Sequence, residues 1–159
     1  MIRRPLKSSE AWAYVPPYQP NQENQLRKIS VRNKAISQRG WRSINGKDYY
    51  FKSQWEYRYA LYLEFLRLHE SILSWEYEPK TFWFKSIKRG CNNYKPDFRI
   101  IEKDNTHFWV EVKGYMDAKS KTKIKRFKKY FPEEKLLLID AKWFRVNNKK
   151  LSGLIKNWI

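Results

Sequence analysis

Between His107 and Lys113 the chain reads His-Phe-Trp-Val-Glu-Val-Lys, and the alternation in that run constrains the fold more than any other stretch. Residues two apart in an extended strand share a face. Phe108, Val110 and Val112 therefore point one way, toward a core, while Trp109, Glu111 and Lys113 point the other. Phe98 to Ile101 is a second apolar extended run, and Lys103-Asp104-Asn105 between the two is a turn. The pair predicts a β-hairpin. Phe98 and Ile100 fit its core face, which leaves Asp97 on the face of Glu111 and Lys113. One hairpin thus gathers two carboxylates and an ammonium.

The flanking segments supply the layers that such a hairpin needs. Trp55, Tyr59, Tyr62, Leu63 and Leu66 recur at helical spacing from Ser53 to about His69. Ser53 followed three places later by Glu56 is a capping box, which fixes the helix start and accounts for Glu56 without any chemistry. Gly46-Lys47-Asp48 reads as a turn and Tyr49-Tyr50-Phe51 as an extended piece. Ile72–Glu78 and Thr81–Lys85 read as strands, and Ile87–Asn93, with Gly90 and paired asparagines, as a loop. Asp117–Tyr130 predicts a basic helix, Leu136–Asp140 a buried strand by its unbroken apolar run, and Lys149–Ile159 a short helix. Helix, strands, helix, strand is the order of a mixed α/β fold whose central sheet is covered by helices. The compact domain spans residues 41–159. Residues 1–40 are expected to form a basic arm, broken by Pro16, Pro17 and Pro20, with a short basic helix over Leu26–Arg39.

Charge narrows the partners. Lys and Arg number 34 against 16 Asp and Glu, a net charge of +18. A surplus of that size attracts polyanions, and neutralising nucleic-acid phosphates releases counterions. No apolar run approaches the roughly 20 residues of a membrane-spanning helix. Met1-Ile2-Arg3-Arg4-Pro5 is basic with no apolar signal core after it, so secretion is not expected. The single cysteine, Cys91, can form neither an internal disulfide nor a cysteine-rich zinc site. Two histidines, His69 and His107, are too few for a histidine metal cluster. Any metal is therefore expected to be a hard cation on carboxylates.

Carboxylates beside an ammonium suit phosphodiester cleavage. The acids hold a divalent ion that polarises the phosphate and acidifies a bound water, and a lysine positions or deprotonates that water. Tyr94-Lys95-Pro96-Asp97-Phe98, then Val110-Glu111-Val112-Lys113-Gly114, resembles the signature of the PD-(D/E)XK nuclease superfamily, with 13 residues between Asp97 and Glu111. Glu56 sits where those nucleases carry an acid on an early helix. Over about residues 50–140 the chain is similar to the phage endonuclease I type of Holliday-junction resolvase and to transposon-end nucleases of the TnsA kind. The resemblance implies a restriction-endonuclease-like core and a site of Glu56, Asp97, Glu111 and Lys113. Asp97 and Glu111 would bind Mg²⁺ (Mn²⁺ can substitute) with the backbone carbonyl of Val112. Lys113 would handle the water, and Glu56 would complete the metal site or orient Lys113. Glu56 cannot fully cap its helix and serve the metal from one rotamer.

The resemblance further implies a DNA endonuclease selective for branched substrates, a homodimer, and a cytoplasmic setting in a bacterial or phage-infected cell. Two other functions fit the same residues: a transposase subunit or restriction-like nicking enzyme targeted by a partner protein, and a nucleic-acid binder without catalysis. DNA contacts are expected from Lys119, Lys121, Lys123 and Arg126 on the basic helix and from Lys88, Arg89 and Lys95 before the site. Lys119, Lys123 and Arg126 share a face of that helix, with Ile124 and Phe127 turned to the core. Trp75, Tyr77, Phe82, Trp83 and Phe84 are expected to pack in the core, and Trp109 to be the aromatic left open for a base.

Overall fold

The structure is a computed structural model that describes residues 39–158. The proposed helix over Leu26–Arg39 and nearly all of the basic arm lie outside the described residues. The elements are β1 (Gly40–Ile44), β2 (Lys47–Phe51), α1 (Gln54–Leu68), β3 (Ser74–Tyr77), β4 (Phe82–Trp83), β5 (Asn93–Tyr94), β6 (Phe98–Ile101), β7 (His107–Lys113), α2 (Ala118–Tyr130), β8 (Leu136–Asp140) and α3 (Ala141–Leu154). The fold is mixed α/β, built on a four-stranded sheet in the order β3-β6-β7-β8. β3, β6 and β7 pair antiparallel, and β8 joins β7 in parallel.

Two apolar layers grip this sheet. Phe98, Ile100, Phe108, Val110 and Val112 face a core shared with α1, α3 and the β1–β2 hairpin. On the other face Trp109 packs with Phe82, Phe84, Tyr94 and Phe127 beneath α2 and the small β4–β5 ribbon. The alternation in β7 therefore separates two buried layers, and the expectation for Trp109 is corrected. It is 2% exposed, with its indole N–H donating to Glu134. Alternation reports which residues share a face. It does not report that a second layer covers the polar-looking one. Among the aromatics expected in the core, Trp75, Phe82 and Phe84 are buried and Tyr77 is half-buried, but Trp83 is 59% exposed.

α1 is the central helix. Ser53 caps it by accepting from the Glu56 N–H at 3.2 Å. Every residue from Tyr59 to Leu66 is buried, because the sheet packs on one side and the hairpin and α3 on the other. The turn between β1 and β2 is Asn45-Gly46, one place earlier than expected. Both residues sit in the left-handed region, at φ 49° and 80°, as a two-residue hairpin turn requires. β8 occupies a sheet edge, so its apolar run is only partly buried: Ile139 is enclosed while Leu138 is 42% exposed. The C-terminal helix starts at Ala141 rather than near Lys149. Asp140 caps it by accepting from Trp143 N–H at 3.0 Å, and Trp143, Phe144 and Leu151 anchor it. Among the described residues no helix is long and apolar enough to cross a membrane.

Candidate active site

The sequence Pro96-Asp97 explains how the site opens. β6 and β7 pair Phe98 with Val110, so continuing the register by two places sets Pro96 opposite Val112. In an antiparallel pair, one residue directs both its N–H and its C=O at the facing residue. Proline has no N–H to give, so it cannot occupy the Val112 carbonyl. The Val112 N–H is taken instead by a side chain, donating to Asp97 Oδ2 at 2.7 Å. The ladder thus ends with one carboxylate bound edge-on and one backbone carbonyl that Pro96 cannot pair.

Asp97 is 9% exposed and Glu111 7%. Burial pushes the Asp97 carboxyl well above its ordinary range, and the charges of Glu111 and Glu56 push it further, against the Val112 N–H and the Lys113 ammonium. Burial likewise raises Glu111, opposed by a hydrogen bond from Tyr94 and by Lys113 and Lys123. Tyr94 donates its hydroxyl to Glu111 Oε2 at 2.9 Å, and Lys113 Nζ lies 3.8 Å from Glu111 Oε1. Two acids are held side by side at the end of β7, undercompensated by the half-exposed Lys113 and Lys123. Such a group favours an added cation.

Glu56 is 7% exposed and approaches from the start of α1. Its Oε2 accepts from Lys52 N–H at 3.0 Å and from Tyr77 OH at 2.7 Å, and Ser53 Oγ donates to its Oε1 at 2.9 Å. The same rotamer therefore serves the helix cap and still faces Asp97 closely enough to raise it. Among the described residues no cluster of three or more His, Cys, Asp or Glu side chains is placed to hold a metal ion. The donor set that fits a divalent cation is Asp97, Glu111 and the Val112 carbonyl, with Glu56 engaged by its cap and Tyr77.

The predicted basic residues divide by position. Lys119 and Lys121 are exposed on α2, and Lys123, half-buried, faces Glu111 closely enough to lower its pKa. Arg126 donates to the Cys91 carbonyl, tying the Ile87–Asn93 loop to α2. Ile124 and Phe127 pack inward as expected. Lys88 and Arg89 are exposed in that loop, and Lys95 lies at the site's edge, 3.3 Å from Glu78 Oε2.

Sequence reading missed Tyr94, Tyr77, Lys52 and Glu78. Glu78 is a non-glycine residue in the left-handed region, φ 46°, whose N–H donates to the Asp97 carbonyl at 2.8 Å. Strain of that kind clusters at functional sites. Its carboxylate also pairs with Lys52. Tyr94, directly before Lys95-Pro96-Asp97, stood within the quoted motif. The other three carry no sequence signal, since their partners are remote in the chain.

A family model described as "Protein of unknown function (DUF1064)" matches residues 36–147. The chain belongs to that family. The DUF1064 match takes in Glu56, Asp97, Glu111 and Lys113 together with all of α2, and it ends within α3. No curated protein and no solved structure matches the chain.

Proposed function

We propose that the chain is a metal-dependent DNA endonuclease of the PD-(D/E)XK type. The observation that supports it is the buried Asp97–Glu111 pair, with Lys113 Nζ 3.8 Å from Glu111 and the Val112 N–H bound to Asp97. Perturbed acids converging with a specific charged partner are candidates for a functional site. A nucleic-acid binder has no use for buried acids within a basic surface, because they repel phosphate unless a cation intervenes.

Asp97, Glu111 and the Val112 carbonyl would hold Mg²⁺ or Mn²⁺. When bound, the ion supplies charge compensation for the phosphate and acidifies a water. Lys113 holds the attacking water, accepts its proton, or balances charge on the phosphorane. Tyr94 keeps Glu111 in its working rotamer through the 2.9 Å hydrogen bond. Lys119, Lys121 and Lys123 hold the backbone of the strand as positioning contacts. Water adds to phosphorus, the bond to the 3′-oxygen breaks, and the products are a 5′-phosphate and a 3′-hydroxyl.

The substrate read from the resemblance is branched DNA, cut as a four-way junction by a two-fold homodimer. The experiment uses labelled junction and linear duplex, with and without Mg²⁺, and compares wild type with Asp97→Asn and Lys113→Ala. Mg²⁺-dependent cleavage of the junction is expected, with losses on the order of 10³-fold or more in both variants while binding persists. Equal cleavage of duplex and junction would replace the resolvase reading with a nicking enzyme targeted by a partner. Equal cleavage by all three proteins would end the site assignment.

A further inference from the structure

The hairpin that packs on α1 has an outer face the catalytic site does not use. Ile44, Tyr49 and Phe51 turn inward to the main core. Alternation sends Trp41 and Tyr50 outward, where they are cross-strand partners with rings 5.5 Å apart at 71°. Trp41 is 69% exposed and Tyr50 44%. Single exposed aromatics are ordinary, but two in contact form an open apolar platform that water solvates poorly.

The platform adjoins the active site. Tyr50 precedes Lys52 by two positions, at most about 7 Å of chain. Lys52 gives its backbone N–H to Glu56, while its ammonium shares Glu78 with Lys95. Burial pushes the Lys52 ammonium down, but the Glu78 hydrogen bond and the charges of Glu78, Glu56 and Asp97 outweigh it and the net direction is up. Lys52 therefore flanks the site on its Glu56–Asp97 side, whereas Lys123 of α2 flanks it on the Glu111 side. The occupant that suits this rim offers flat apolar faces to Trp41 and Tyr50 and negative charge to the surplus of Lys52 and Lys95 over Glu78. A protein segment rich in apolar side chains meets the first demand only. Duplex DNA meets the second only, because its base faces are stacked inside the helix.

We propose that the outer face of β1–β2 is a base-stacking platform: Trp41 and Tyr50 receive an unpaired nucleobase while Lys52 and Lys95 hold the adjoining phosphates. This rests on the nuclease reading only for placing the scissile phosphate at Asp97 and Glu111. It deepens that reading by naming the substrate class, DNA with unpaired bases next to the cut. Base–aromatic stacking has the strength and the sequence tolerance such a role asks for.

The test is the affinity of the full chain, in EDTA, for a short single strand, a blunt duplex of the same sequence and a four-way junction. Joint Trp41→Ala and Tyr50→Ala substitution is expected to weaken single-strand binding about 10- to 100-fold and leave duplex binding within about twofold. Trp41→Phe with Tyr50→Phe keeps stacking faces and should restore most of the loss. Unchanged single-strand affinity in the alanine variant would overturn the proposal, as would equal losses on both substrates. It would equally fall if the alanine variant turned a wild-type dimer into a monomer in sedimentation, the mark of an interface between copies. Metal-dependent cleavage assayed in parallel separates the two readings: selective loss of single-strand binding without any cleavage supports the platform and sinks the nuclease, and cleavage without selective loss does the reverse.

Discussion

Two buried acidic sites in this molecule have opposite environments. Glu64, on α1, is 3% exposed, yet it accepts two hydrogen bonds from Arg67, at 2.9 and 2.7 Å, and one from the Trp75 indole at 3.0 Å. Burial alone would raise its carboxyl, but Arg67 and Trp75 reverse the direction and hold it below the ordinary value. Asp97 and Glu111 are also enclosed and are driven up, because burial disfavours their charged forms, and for Asp97 the charges of Glu111 and Glu56 add to it. Glu64 is a completed structural ion pair. The Asp97–Glu111 pair has Lys113 and Lys123 as neighbouring cations, and the proposed divalent ion would balance its remaining charge.

If that contrast is right, Glu64→Ala should be the most damaging substitution for the fold. It leaves the buried Trp75 N–H without its acceptor and the part-exposed Arg67 without its bidentate partner, at a cost on the order of 2 kcal/mol. Chemical denaturation would measure it, and a loss below roughly 1 kcal/mol would show that Glu64 is not the structural acid described. Tyr94→Phe is next. Among the described residues its hydroxyl hydrogen-bonds to Glu111 alone, so cleavage should fall about 10- to 100-fold while the melting temperature moves little. A variant that melts early and cuts normally would make Tyr94 a packing residue.

Asp97→Asn should have a modest effect on stability, opposite in sign to that of Glu64→Ala. Without divalent ions it is expected to stabilise the fold by about 1 kcal/mol at neutral pH. The sign follows from linkage. Asp97 has a folded pKa above its unfolded one, so its ionisation disfavours the fold. Wild type is then at full strength below about pH 4 and loses stability as pH rises through the raised value. Asparagine does not ionise, so the two melting curves should coincide in acid and separate toward neutrality. Separation in acid instead would contradict the electrostatic account.

How much of this was legible in the sequence depended on the range of the interaction. The β7 alternation placed Glu111 and Lys113 together, and the β6–β7 register confirms Asp97 as their neighbour. Ser53 and Glu56 gave the cap of α1, a contact across three positions. The Asn45-Gly46 turn was also local, but the turn was sought one place later and β1 was lost with it. Trp109 was misplaced because its cover comes from Phe82 and Phe127, far away along the chain. The same distance hid Tyr77 on Glu56 and Lys52 on Glu78, neither of which any short motif records. The asparagine pair and lysines of α3 masked a helix that only three buried side chains anchor.

The central claim is that Asp97 and Glu111 form a cation site and Glu64 does not. Titration of the full chain with Mn²⁺, read by electron paramagnetic resonance or calorimetry, tests it without any substrate. The account predicts saturable binding by wild type, loss of that site in Asp97→Asn, and wild-type binding in Glu64→Gln. Binding that survives Asp97→Asn unchanged, or no binding by wild type at millimolar ion, would contradict it.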